Sequence, residues 1–370
     1  MDVRADGAGG SDPGPVGDLR SVAPDGQLAR VSTGHLPDDT TVGELLRAAY
    51  DRHRDVADGD VATYIPQLAG ADPAWCAASV VSVSGRAFEV GDVGVRFSIQ
   101  SVSKPFVLAL VVEALGHDRS RDLLGANATG LPFNSVMAVE VHDHRTMNPM
   151  VNAGAIAATS LTPEVAGLRP DDTAAEAAWA VVVDGLSAFA GRRLVVDEDV
   201  YACESGTNLR NRGIAHLLHS YGRVHCDPDV ATDLYTRQCS LSVDVHDLAV
   251  MAATLADGGV NPVTGERVVS DGTCARVLAV MATAGLYELS GDWLWDVGLP
   301  GKSGVSGAVV TVAPGKGGLA AWSPPLDAAG NSVRGQLITR SLSRALGLNV
   351  FASEPDPHTE PDPHTEPPGA

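Results

Sequence analysis

Lysine is nearly missing from this chain of 370 residues: of 26 basic residues, 23 are Arg and only Lys104, Lys302 and Lys316 are Lys. Against 46 acidic residues they leave a formal net charge of -20. Positive clusters able to hold a phosphate backbone or an anionic lipid surface are therefore lacking, so neither nucleic acid nor a membrane is expected as a partner. Long apolar runs are lacking too. The longest, Phe106 to Leu115, is broken by Glu113 and is too short to span a bilayer. Met1 to Arg20 carries Gly, Asp and Pro but no apolar core of an export signal, so a cytoplasmic location is expected. Five scattered cysteines (Cys76, Cys203, Cys226, Cys239, Cys274) contain no C-x-x-C pair, which excludes a disulfide framework and a zinc ribbon and suits a reducing compartment. No G-x-G-x-x-G and no G-x-x-x-x-G-K-[ST] loop occurs, which removes the two common nucleotide cradles.

The ends of the chain differ from its middle. Met1 to Leu36 is rich in Gly, Asp, Pro and Ser without apolar periodicity, and is expected to be a disordered tail. At the other end, Glu354 to Thr359 repeats as Glu360 to Thr365 and is followed by Glu366, Pro367 and Pro368; residues 354–370 read as a second, acidic and proline-rich tail. Between them one domain is expected over residues 37–353. Helical apolar spacing predicts helices over Val42–His53, Lys104–Ala114, Asp172–Ala190, Arg212–Tyr221, Val245–Ala256 and Asp271–Thr283. Short β-branched runs predict strands over Ala77–Val83, Ala87–Val90, Ala308–Ala313 and Gly318–Trp322, and Val95–Ile99 is also strand-like. Strands fall at both ends and helices in the middle, roughly residues 104–285. An α/β or α+β fold follows, its sheet built from both termini with a helical insertion beside it.

The rarity of lysine has a chemical reading. Arginine keeps its proton at every working pH, whereas a buried lysine can lose it and serve as a base. Two of the three lysines sit in recognisable settings. Ser101-Val102-Ser103-Lys104 is an S-x-x-K sequence at the start of a predicted helix, where three-residue spacing puts Ser101 and Lys104 on one face. A neutral Lys104 amine there takes the Ser101 proton as the hydroxyl attacks a carbonyl, and the helix N-terminus offers an amide to the oxyanion. Downstream, Lys302-Ser303-Gly304 precedes a predicted strand, as does the K-[ST]-G element of acyl-serine enzymes. A second cation at Lys302, together with desolvation, is expected to lower the Lys104 pKa, the cation acting by like-charge repulsion.

Further blocks make the sequence recognisable. Tyr64 to Ala69 (YIPQLA), Phe97 to Lys104 (FSIQSVSK), Asn148 to Ile156 (NPMVNAGAI), Glu204 with Arg210-Asn211, Tyr235 to Ser240 (YTRQCS), Gly285 to Gly291 (GLYELSG) and Val297 to Val305 (VGLPGKSGV) follow one another, with Ser323 to Leu326 and Gly330 to Ser332 beyond. In this order they resemble the serine-dependent glutaminase family over about Asp38 to Ser353. The resemblance implies a β-lactamase-like fold, an antiparallel sheet flanked by helices with a helical subdomain inserted. It also implies hydrolysis of L-glutamine to L-glutamate and ammonia through a Ser101 acyl-enzyme with Lys104 as general base, no cofactor or metal, and a homotetramer. By the same resemblance Ser101, Lys104 and Tyr287 are the catalytic residues, Lys302 supports them, and Tyr64, Ser101, Asn152, Glu204, Asn211, Tyr235, Tyr287 and Val305 bind substrate. Their chemistry suits a zwitterion: an ammonium wants the Glu204 carboxylate, while a carboxylate wants neutral donors such as Asn152, Asn211 and Tyr235. The chain departs from the family pattern at Trp293-Leu294-Trp295 and at Gly301, both close to Lys302 in sequence.

Other motifs carry less. His142-Asp143-His144 and the pair His216 and His219 have metal-like spacing but no third or fourth ligand nearby. Cys203 and Cys239 flank Glu204 and Tyr235 without a Cys-His signature, and read as small fillers. Two other functions share some of these features. A β-lactamase or D,D-peptidase also uses S-x-x-K and K-[ST]-G, but acts outside the cytoplasm and carries an S-D-N element that this chain lacks. A catalytically silent glutamine-binding protein has no use for Ser101, Lys104, Tyr287 and Lys302 together.

Overall fold

The computed structural model describes residues 34–142, 144–168 and 175–352. Of the expected tails only Gly34–Leu36 falls within this range, without helix or strand, and residues 354–370 lie outside it.

Alternation of side chains builds the main sheet. Its strands are β1 (Ala77–Ser82), β2 (Ala87–Gly91), β3 (Gly301–Gly304), β4 (Ala308–Ala313) and β5 (Gly317–Trp322), hydrogen-bonded in the order β2-β1-β5-β4-β3. Every pairing is antiparallel, and β1 joins the two ends of the sequence through Ala77↔Trp322 and Ser82↔Gly317. Successive residues point to opposite faces. Ala77, Val81, Val310, Val312, Ala320 and Trp322 face one core, while Ala78, Val80, Val309, Leu319 and Ala321 face another. The helices Asp39–His53 and Val333–Ala345 cover the second face, and Val245–Ala256 lies on the first, against β1, β4 and β5. This last helix comes close to the sheet because β5 carries Gly318; a Cβ there would collide with the backbone of Ala253.

The expected antiparallel sheet with flanking helices and a helical middle is thus present. All six predicted helices are present, Asp39–His53, Lys104–Leu115, Ala175–Ala190, Leu209–Ser220, Val245–Ala256 and Asp271–Ala284, with several ends shifted by a few residues; residues 172–174 of the third prediction lie outside the described residues. The first starts earlier than its apolar spacing because Asp38 caps it, accepting from Thr41 N at 3.1 Å. Three further helices, Asn152–Thr159, Glu198–Thr207 and Pro228–Cys239, contribute to the surroundings of the site. The strand-like Val95–Ile99 shortens to Phe97–Ser98 and pairs not with the main sheet but with Leu241–Val243, which also holds Val195–Val196. Gln100, at φ 50°, turns the chain out of the strand direction immediately afterwards. The helix Lys104–Leu115 is apolar on all sides and is packed accordingly; eight of its residues from Lys104 to Val112 are buried, with Phe106 against Phe189 at 5.1 Å. No described helix is long and apolar enough to cross a membrane.

Candidate active site

The S-x-x-K segment folds as a 3-10 turn, Gln100–Ser103, running straight into the buried helix, with Pro105 in its first turn where no amide bond is lost. The two serines of the segment have different surroundings. Ser103 is fully buried; its hydroxyl donates to Gln100 O at 2.7 Å and accepts from Gln238 Nε2 at 2.9 Å. Ser101 lines a cavity of about 370 Å³. Lys104 is 1% exposed. Its Nζ donates to Asn152 Oδ1 at 2.8 Å and to Met150 O at 3.3 Å. Burial lowers its pKa from 10.5 to about 7. A neutral amine has two N–H bonds and one lone pair, so these two acceptors use both hydrogens and leave the lone pair for a proton.

The same cavity gathers most of the residues singled out by the sequence. Tyr64, Ser101, Asn152, Glu204, Asn211, Tyr235 and Val305 all line it, from segments spread over 240 positions or so. They form two hydrogen-bonded groups. In one, Asn152 Oδ1 accepts from Tyr235 OH at 3.2 Å as well as from Lys104, and Asn152 Nδ2 donates to Asn211 Oδ1 at 3.0 Å. In the other, Gln100 Nε2 donates to Glu204 Oε1 at 3.1 Å while Tyr64 OH donates to Gln100 Oε1 at 3.3 Å. Burial raises the Glu204 carboxyl above its usual range, opposed by the hydrogen bonds of Gln100 and Tyr64. Tyr64 is half-exposed.

Tyr287 and Lys302 stand behind this surface. The Tyr287 ring packs on Phe133, which lines the cavity, with centroids 4.6 Å apart. Burial pushes its phenol up to about 12, opposed by hydrogen bonding to Ser101 and Ser303. Lys302, on β3, is fully buried and donates to Gly285 O at 2.9 Å and Ser303 O at 2.6 Å, its Nζ lying 4.2 Å from the Tyr287 ring centroid. The expected repulsion runs the other way: burial alone lowers Lys104, whereas Lys302 is pushed well below the lysine range by burial first and by Lys104 second.

The chain as a whole has known counterparts. A family model described as Glutaminase matches residues 59–351. The chain belongs to the glutaminase family. "Glutaminase 2" of Yersinia pestis is 54% identical over 330 residues, 89% of this chain and 95% of that protein. Among solved structures, one described as the probable glutaminase ybaS superposes with a TM-score of 0.82 at 42% identity, covering 86% of this chain and all of that one. Mglu in its glutamate form gives 0.77 at 37% identity, covering 84% of this chain and 70% of that one.

Some residues of this candidate site escaped the sequence reading. Gln100 ties Tyr64, Ser98 and Glu204 together from a left-handed backbone, a conformation that costs a non-glycine residue about 1 kcal/mol or more. Phe133 was absent from every block considered, and Cys239 lines the cavity with a thiol that burial pushes up to about 12, an inert filler as expected. All five cysteines are unpaired. Asp143 lies outside the described residues, among which no group of three or more His, Cys, Asp or Glu could hold a metal ion.

Proposed function

We propose that this glutaminase-family protein hydrolyses L-glutamine to L-glutamate and ammonia through an ester on Ser101. The observation that carries the reading is the Lys104 amine, buried, lowered to about 7, and with both of its N–H bonds already used. Ser101 Oγ attacks the side-chain amide carbon, and its proton passes to the Lys104 lone pair. The carbonyl oxygen becomes an oxyanion facing backbone amides; the Val305 N–H, unused by any backbone hydrogen bond among the described residues, suits this role. As the tetrahedral intermediate collapses, the C–N bond breaks and nitrogen takes a proton relayed by the Tyr287 hydroxyl, leaving as ammonia. Water then attacks the γ-glutamyl ester with Lys104 again accepting the proton, and glutamate departs. Specificity comes from the two polar groups: the Glu204 carboxylate receives the substrate ammonium, and Asn152, Asn211 and Tyr235 receive its carboxylate. Tyr64 covers them, and Lys302 braces Tyr287.

Residues 37–353 carry this activity by our reading. The five unpaired thiols support a cytoplasmic setting, and the family resemblance supports a homotetramer. One assay tests the function: ammonia release from L-glutamine, compared with hydrolysis of a chromogenic β-lactam and with simple glutamine binding. Release from glutamine, loss of it in Ser101→Ala, and mass added to the Ser101 peptide by a reactive glutamine analogue are expected. Binding without turnover, or label on another residue, overturns the mechanism.

A further inference from the structure

Strand β3 is an edge strand. It pairs with β4 on one side, while on the other its Ser303 amide reaches Gly285 O at only 3.4 Å. Yet the Ser303 carbonyl is the acceptor shared by the Lys302 amine, at 2.6 Å, and by the Tyr287 hydroxyl, at 3.3 Å. Tyr287 itself has a left-handed backbone, φ 57°, in a three-residue 3-10 turn, so the direction of its phenol depends on what holds its far end.

What holds Ser303 is a loop. The Ser303 hydroxyl donates to Asn331 Oδ1 at 2.5 Å, and both residues are fully buried. It therefore points away from the cavity and is not free to contact a substrate there. Asn331 is fixed in turn: its N–H donates to Asp327 Oδ1 at 3.0 Å and its carbonyl accepts from Asp327 N at 2.8 Å. Gly330, at φ 93°, lets the loop close, and a Cβ added there would meet Val305 and Tyr287 at ordinary contact distance. The arrangement has a cost. Asn331 Nδ2 is buried with no hydrogen-bond partner, a penalty that a leucine of similar size would avoid. An orphaned donor retained at such a place implies that the oxygen on the same amide is needed.

We propose that Asn331 is a positioning residue for the reaction: by holding the Ser303 hydroxyl it fixes the Ser303 carbonyl, and through that carbonyl the direction of the Tyr287 hydroxyl. The inference rests on the role given above to Tyr287.

The test uses the full chain and steady-state rates with L-glutamine. Asn331→Ala and Ser303→Ala each lower kcat about tenfold and leave KM within about twofold, because the lost alignment acts on proton transfer and not on substrate binding. Ser303→Thr, which keeps the hydroxyl, retains kcat within about threefold. The double variant Asn331→Ala/Ser303→Ala is no slower than the slower single one, and Asn331→Ala adds no loss in a Tyr287→Phe background. An unchanged kcat in Asn331→Ala, additive losses, or a change confined to KM overturns the inference. Should Asn331→Ala fail to fold, the Ser303 pair decides alone, alanine slow and threonine fast being required. If Tyr287→Phe slows the enzyme and these variants do not, only Asn331 is refuted; if the unaltered protein releases no ammonia, the functional reading itself fails.

Discussion

Replacing Lys104 by arginine separates a base from a mere cation. Burial shifts the Lys104 amine from 10.5 to about 7, which at about 1.4 kcal/mol per unit amounts to about 5 kcal/mol in favour of the neutral form. Near pH 7 about half of the molecules then have a neutral amine. A guanidinium starts from about 12.5 or higher, so the same burial still leaves it protonated, with about one molecule in a hundred or fewer neutral at pH 7. Lys104→Arg keeps the charge, the approximate length and the helix, and loses the lone pair. The expected loss in kcat/KM is about a thousandfold or more, similar to that of Ser101→Ala if base and nucleophile act as a unit. The sign of the pH dependence follows from the same shift. Protonated Lys104 is inactive, so kcat/KM of the unaltered enzyme rises with pH through about 7 and then levels, whereas the arginine variant shows no such limb. Initial rates of glutamate formation from pH 5.5 to 9, with circular dichroism to confirm folding, measure both. A Lys104→Arg enzyme with a tenth of the normal activity and an unchanged acid limb would refute the assignment, and Tyr287 would become the candidate base.

Three other outcomes are expected. Glu204→Gln raises KM for L-glutamine about tenfold to hundredfold with a smaller change in kcat, since a hydrogen bond to a charged group is lost. Because burial raises the Glu204 carboxyl, KM of the unaltered enzyme climbs as pH falls through that raised value, while KM of the glutamine variant stays flat; equal slopes in the two would remove Glu204 from ammonium binding. Tyr287→Phe lowers kcat by roughly ten- to a thousandfold, less than Lys104→Arg, if the phenol relays rather than initiates proton transfer; rates ranked in the opposite order would reverse the two roles. A shortened chain spanning Asp38–Ser353 keeps full activity and its sedimentation behaviour, because the terminal compositions hold too little apolar surface to contribute to a core; lost activity would show that a tail belongs to the enzyme.

The helix Asp39–His53 was legible because one stripe of it is buried, and the strands β1, β4 and β5 because their runs lie between Gly and Pro, although both of their faces are covered. Asn152–Thr159 was not read as a helix, since every one of its residues is buried and no polar face marks its period. The scarcity of lysine pointed to two buried amines, Lys104 and Lys302, and the third, Lys316, is only half-buried and donates to Gly347 O. Of the two causes expected to lower Lys104, desolvation acts there, whereas the repulsion acts on Lys302, an asymmetry that spacing in the sequence does not carry. Gln100 stood inside a quoted block, yet its left-handed backbone and its bridge between Tyr64 and Glu204 have no local signal; glutamine is not a residue from which such a φ is expected. Phe133 reaches Tyr287 only through the fold.

The pairing of β1 with β5 has a consequence for how the molecule is made. Ala77 meets Trp322 about 245 positions later, so the central ladder cannot zip while the ribosome is still decoding the insertion. Until then β1 and β2 offer a two-stranded hairpin, which is marginal alone, and the largely apolar helix at Lys104–Leu115 lacks its later partners, the helices Ala175–Ala190 and Asp271–Ala284. Loop closure over such a distance must precede its reward, which favours slow maturation and exposes sticky intermediates to one another. Refolding from denaturant is accordingly expected to be sluggish and concentration-sensitive, with yield improved by dilution or chaperones. Joining the native ends and reopening the chain at the exposed turn of Gly222 would bring both hairpins onto one continuous stretch of polypeptide and shorten that wait.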